Sequence, residues 1–231
     1  MKRVIPRVLA ILLLALLPLA LPLGAQSPGA PLTAAQNYRI GRDLEANGRM
    51  DEADPYYNEA IRQCRDQAAR GAANRDTYTV ITWALQRQKK YGEVIEWGER
   101  GLRLFADEYR IIETMGEAYF YLDDYDSSLE CMQRFTDAVP RGERTSVAYF
   151  FIAEIFRLRR QYLRADIAYT TALRLDPAVV LWWYRLASVR ESAGDRQNAA
   201  EAYRRALRLD PNHRESAAGL ARVEALINAE P

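Results

Sequence analysis

The hexapeptide Ala-Leu-Arg-Leu-Asp-Pro occurs at 172–177 and again, 34 residues later, at 206–211. A period of this length confines the chain to arrays of small units, because one such unit cannot bury its own apolar stripe and must lean on the next. Five of the ten prolines lie before residue 32, so the repeated part is poor in breakers, and it carries no run of alternating β-branched residues. The units are therefore expected to be helical. Large and small residues alternate as close helix packing requires: Ala153, Ala165 and Ala172 permit close approach, while Tyr149, Ile152, Phe156 and Tyr169 fill the gaps. Asp176-Pro177 and Asp210-Pro211 end helices, since the residue before proline is pushed out of the α region.

Before the second hexapeptide stand Trp183, Leu186, Ala187, Gly194, Ala199, Tyr203 and Ala206, with Arg190 where an aromatic would be usual; before the first stand Tyr149, Ile152, Ala153, Phe156, Ala165, Tyr169 and Ala172. This pattern resembles the tetratricopeptide repeat. Read backwards from there, five units span 34–67, 75–108, 109–142, 146–179 and 180–213. The resemblance implies an all-α, right-handed α-solenoid of five helix-turn-helix units. Residues 214–231, with an apolar stripe of Leu220, Val223, Leu226 and Ile227, read as a capping helix over the last unit's apolar face, deletion of which would bare Tyr203.

The first 25 residues read as an address. Lys2, Arg3 and Arg7 precede an apolar run at 8–23 that closes on Leu23-Gly24-Ala25, the pattern of a secretory signal. The alternative is a retained anchor facing outward, against which Pro18 and Pro22 interrupt the helix. Residues 26–33, with Pro28, Gly29 and Pro31, read as a flexible linker. The expectation is an exported, periplasmic protein. Of 32 basic and 31 acidic residues, three basic and no acidic ones fall in this address, leaving a charge of −2 after cleavage. That balance speaks against nucleic acid as a partner, and membrane contact is expected only through an uncleaved N-terminus.

Little material exists for chemistry. His213 is the single histidine, read as a surface turn residue, and Cys64 and Cys131 lie two units apart and are expected to stay unpaired. The acidic run 123–126 lacks a calcium loop's glycine and closing glutamate and reads as a turn with Asp126 as N-cap. No cofactor, metal or enzymatic activity is expected. In the resembled family, the first helix of each unit lines a concave groove with its second, fifth, ninth, twelfth and thirteenth residues. Carried over, these positions give Tyr38, Arg42, Asp76, Trp83, Arg87, Arg110, Glu113, Glu117, Phe120, Tyr121, Phe150, Glu154, Arg157, Leu158, Tyr184 and Glu191. Rings recurring beside charges imply a groove for a peptide or protein segment, and the expected role is a scaffold binding an envelope protein. The alternative is a small-ligand or transporter-accessory role. The Lys/Asn/Arg clamp by which some relatives hold a terminal carboxylate is matched here only by Arg110, among Tyr38, Arg42, Val80, Arg110 and Thr114.

Overall fold

Thr33 starts the first helix with a capping box: its side chain accepts from the Gln36 N–H, while Gln36 reaches back to the Thr33 N–H at 2.8 Å. Asn74 and Thr77 repeat the device one unit later. In this computed structural model, which describes residues 31–229, all regular elements among the described residues are helices. The expected export signal lies outside the described residues, as do most of the linker and the last two residues of the chain.

Among the described residues, those from 33 onward form one unit. Five antiparallel pairs follow one another: α1 (Ala34–Ala46) with α2 (Met50–Ala69), α3 (Arg75–Arg87) with α4 (Tyr91–Leu104), α5 (Tyr109–Tyr121) with α6 (Tyr125–Ala138), α7 (Thr145–Leu158) with α8 (Tyr162–Leu175), and α9 (Val180–Ser192) with α10 (Arg196–Leu209). The last helix, α11 (Arg214–Asn228), packs on α10 and α9. Each helix also packs against the next in sequence, and α1, α3, α5 and α7 touch in turn, so the first helices form a row along one side of an α-solenoid. Every pair turns at one residue in the left-handed region: Gly48, Lys89, Asp123, Arg160 and Gly194, with φ between 56° and 83°. Glycine occupies that position twice; Lys89, Asp123 and Arg160 carry the strain of a Cβ there.

The core follows the expected alternation of sizes. Ala153, Ala165 and Ala172 are fully buried with Tyr169 between them, whereas Tyr149 and Phe156 are only half-buried at the cluster's edge. Nine residues beyond the turn, three pairs carry a tyrosine whose hydroxyl donates to a first-helix carboxylate. Tyr57 reaches Glu45 at 2.5 Å, Tyr203 reaches Glu191 at 2.7 Å, and Tyr169 reaches Glu154. These rings are at most 1% exposed, so each hydroxyl needs a partner inside the pair. The second and third pairs have Gly98 and Met132 at that place.

Three local expectations are corrected. The N-cap of α6 is Asp124, whose side chain accepts from the Ser127 N–H; Asp126 already lies in the first helical turn and pairs with Arg159 at 2.7 Å. His213 is no idle turn residue: it caps α11, its Nδ1 accepting from the Ser216 N–H at 3.2 Å, with its ring 5.4 Å from Tyr184. The buried face of α11 centres on Ser216, Gly219 and Val223, and Leu226 stays 43% exposed. Arg222 fastens this helix to Glu191 at 2.5 Å and Glu224 to Arg204 at 2.6 Å.

Candidate functional site

Along the row of first helices, the chain encloses a pocket of about 660 Å3 against α1, α3, α5 and the loop before α7. A hollow of equal volume on the outer side of α6 is wide open and lined mainly by Asp126, Glu130, Gln133, Arg134 and Asp137, with Tyr109 at its edge. The inner pocket is the more enclosed and the richer in rings, which makes it the better binding site.

Its aromatic lining comes in two ring pairs, one tilted and one stacked. Tyr38 of α1 lies 5.4 Å from the Trp83 ring of α3, and Tyr91 of α4 lies nearly parallel to Tyr121 of α5 at 4.9 Å. Tyr38 is itself buried, wedged between Trp83 and Tyr57, so Trp83 and the half-exposed Tyr121 present more of their faces to an incoming group. The cations among these rings are mostly held by carboxylates. Arg87 lies 3.6 Å from Glu45; Arg110 meets Glu108 at 2.6 Å and Asp76 at 3.4 Å, with its guanidinium 5.8 Å from the Trp83 ring.

A further cation comes from outside the helices. Arg144, at the end of the loop before α7, donates to Glu113 at 2.8 Å and also to Glu117, two carboxylates one turn apart on α5. Gln86 of α3 donates its amide to the same Glu117 at 3.0 Å, leaving its own oxygen buried without a donor. Glu113 is only 5% exposed; burial, reinforced by the neighbouring Glu117 carboxylate and opposed by Arg144, pushes its pKa up to about 8. One guanidinium serves two carboxylates, so the buried one binds a proton more readily than a free glutamate does.

Of the expected groove residues, the pocket gathers Tyr38, Arg42, Trp83, Arg87, Arg110, Glu117 and Tyr121, together with Glu113. Phe120, Phe150, Glu154, Arg157 and Tyr184 stand apart from it and are engaged in packing. Phe120 meets Phe151 edge-on at 5.1 Å; Phe150 stacks on Trp182 at 5.3 Å. Glu154 is buried and accepts from Tyr169 and from Arg157 at 2.6 Å, with Arg185 at 3.4 Å. Tyr184 lies 6.2 Å from Tyr203. Glu191 ties α10 and α11 to α9, and Leu158 is exposed.

Among the pocket's lining residues, sequence reasoning missed Glu45, Gln86, Lys89, Tyr91, Glu143 and Arg144. Glu45 and Gln86 stand at twelfth positions of first helices, where the same rule would have found them. Arg144 lies between two units, outside any repeat position. Elsewhere little chemistry is on offer. Burial pushes the Cys64 thiol up to about 12 and the Cys131 thiol up to about 11, too high for a resting nucleophile, and the two are unpaired. Among the described residues no cluster of histidine, cysteine and carboxylate side chains could hold a metal ion, and no helix is long and apolar enough to cross a membrane.

Residues 37–67 and 180–213 each match a family model described as the tetratricopeptide repeat. No curated protein matches the sequence. Solved structures similar in fold include a MamA RS-1 ArsTM double mutant, 17% identical over 77% of this chain and 94% of its own, with a TM-score of 0.63. MamA from residue 41 to its end, of Desulfovibrio magneticus RS-1, is 19% identical over 80% of this chain and 99% of its own, with a TM-score of 0.58. YrrB, described as a TPR protein with an unusual peptide-binding site, is 18% identical over 80% of this chain and 90% of its own, with a TM-score of 0.54. Both ends of the helical row are thus tetratricopeptide repeats, and the pairs between them are built alike.

Proposed function

We propose that the protein is an exported, non-enzymatic scaffold that holds a peptide or protein segment of an envelope partner in the pocket along α1, α3 and α5. The observation that carries this reading is the pocket itself: about 660 Å3, with two aromatic pairs and a set of charges along adjoining helices and turns. Such sites bind by inserting side chains between aromatic faces, with polar groups fixing orientation. The peptide-binding site named for YrrB, a protein of like fold, supports the same use of the architecture. The signal-like residues 1–25 support export, and N-terminal sequencing of secreted material tests it. Capture of envelope proteins on immobilised protein tests the binding role. Trp83→Ala and Tyr121→Ala should lose the captured partner while circular dichroism stays unchanged; undiminished capture by both variants refutes the assignment.

A pocket of this volume also falls within the range of small-molecule sites. Under that second reading a metabolite extract should raise the unfolding temperature of the wild type and not of Trp83→Ala.

A further inference from the structure

The pocket's charges divide into those already satisfied and those free. Arg87, Arg110 and Arg144 are each held by carboxylates of the chain, and Glu45, Glu113 and Glu117 are consumed in holding them or in accepting from Tyr57 and Gln86. A ligand charge directed at these groups would have to compete with pairs whose carboxylates are largely buried, although their guanidinium groups still reach water. Three charged side chains of the pocket are engaged with nothing among the described residues: Arg42, Lys89 and Glu143. They are segregated by sign. Arg42 lies on α1 and Lys89 in the turn after α3, whereas Glu143 lies in the loop before α7, at the other end of the row. The tilted pair Tyr38–Trp83 stands beside Arg42 on α1 and α3, and the stacked pair Tyr91–Tyr121 joins α4 to α5 on the way to α7.

Resting on the reading of this pocket as a peptide site, we infer that its occupant is an extended segment of opposed polarity. An aspartate or glutamate side chain sits at Arg42 and Lys89, an aromatic or proline ring lies against Trp83 and Tyr121, and a lysine or arginine sits at Glu143. The dimensions set the length. Crossing from α1 to α7 covers three helix spacings of roughly 8–10 Å, which an extended chain spans in about seven to nine residues at about 3.3 Å each. Charge complementarity of this kind fixes register and direction while the rings supply the contact area.

The test is selection from a phage-displayed library of random dodecapeptides on the purified protein, with Tyr121→Ala as the pocket-deficient control. Expected winners carry an acidic residue, then an aromatic or proline, then a basic residue within about nine positions, and bind equally as free acids and C-terminal amides. The double variant Arg42→Glu, Lys89→Glu should lose these peptides by about tenfold and enrich sequences that are basic at the formerly acidic end. Winners that depend on Tyr121 yet show no polarity, or that bind the double variant unchanged, overturn the inference and leave the peptide site standing. If no peptide is enriched over Tyr121→Ala, the peptide reading itself falls, and this inference with it.

Discussion

Gly219 tests how the cap is seated on the array. A Cβ built there would lie 2.4 Å from Cζ of Tyr203, with both Cε atoms within 2.8 Å, whereas ordinary contact begins at 3.4 Å. The ring cannot yield, because it is 1% exposed and its hydroxyl is held by Glu191 at 2.7 Å. In Gly219→Ala, α11 must therefore lift by about 1 Å against its Arg222–Glu191 and Glu224–Arg204 pairs. Overpacking of this kind costs about 1–3 kcal/mol, offset by about 1 kcal/mol from alanine's better helix propensity. Gly92, exposed in the first turn of α4 with nothing within 4 Å, is the control: Gly92→Ala takes the propensity gain without a clash. The two variants should differ by about 1–3 kcal/mol, and at about 2–4 °C per kcal/mol for a chain of this size their thermal midpoints by circular dichroism should separate by several degrees. Equal midpoints, or a higher one for Gly219→Ala, would show that the cap is not seated on Tyr203 as described.

Glu154→Gln removes the charge shared by Arg157, Arg185 and Tyr169; allowing for guanidinium groups that still reach water, it should cost about 1–3 kcal/mol in urea unfolding, against less than about 0.5 kcal/mol for Arg42→Ala. The folded chain holds the Glu113 proton more tightly than the unfolded one, so this group's contribution to stability is greatest below pH 4.5 and is lost as pH rises to about 8. Denaturation midpoints of Glu113→Gln should fall less across that window than those of the wild type; parallel curves would count against a raised Glu113 pKa. Arg160→Gly relieves a left-handed residue at φ 56° and should raise the thermal midpoint by the equivalent of about 0.5–1 kcal/mol; a lower midpoint would mean that the Arg160 side chain supports the turn.

The fold was legible because its causes are local and periodic. Fully buried alanines at 153, 165, 172, 199 and 206 and tyrosines at 57, 169 and 203 recur where paired helices must touch, and the aspartates before Pro177 and Pro211 stop α8 and α10. The site was legible only in part, for a physical reason. Repeat position says which side of a helix a residue is on, but not whether a neighbour has already claimed its ring. Phe120 and Phe150 point inward from first helices, yet Phe151 and Trp182, which carry no groove position, cover them. Glu154 likewise occupies a groove position and is consumed by Tyr169. Arg144 was invisible for the opposite reason: a short insertion between the third and fourth units breaks the period, and only the folded chain brings its guanidinium to α5.

The tyrosine-to-carboxylate ties of the first, fourth and fifth pairs have a mechanical consequence. Where they are absent, at Gly98 and Met132, the two middle pairs meet through thioethers: Met115 lies against Gly98, and Met132 against Gly116. Methionine contacts reshape more cheaply than a buried hydroxyl breaks its bond. The second and third pairs should therefore yield before the tied ends when the ribbon is flexed, a difference that faster amide hydrogen exchange in α3 to α6 than in α9 and α10 would register.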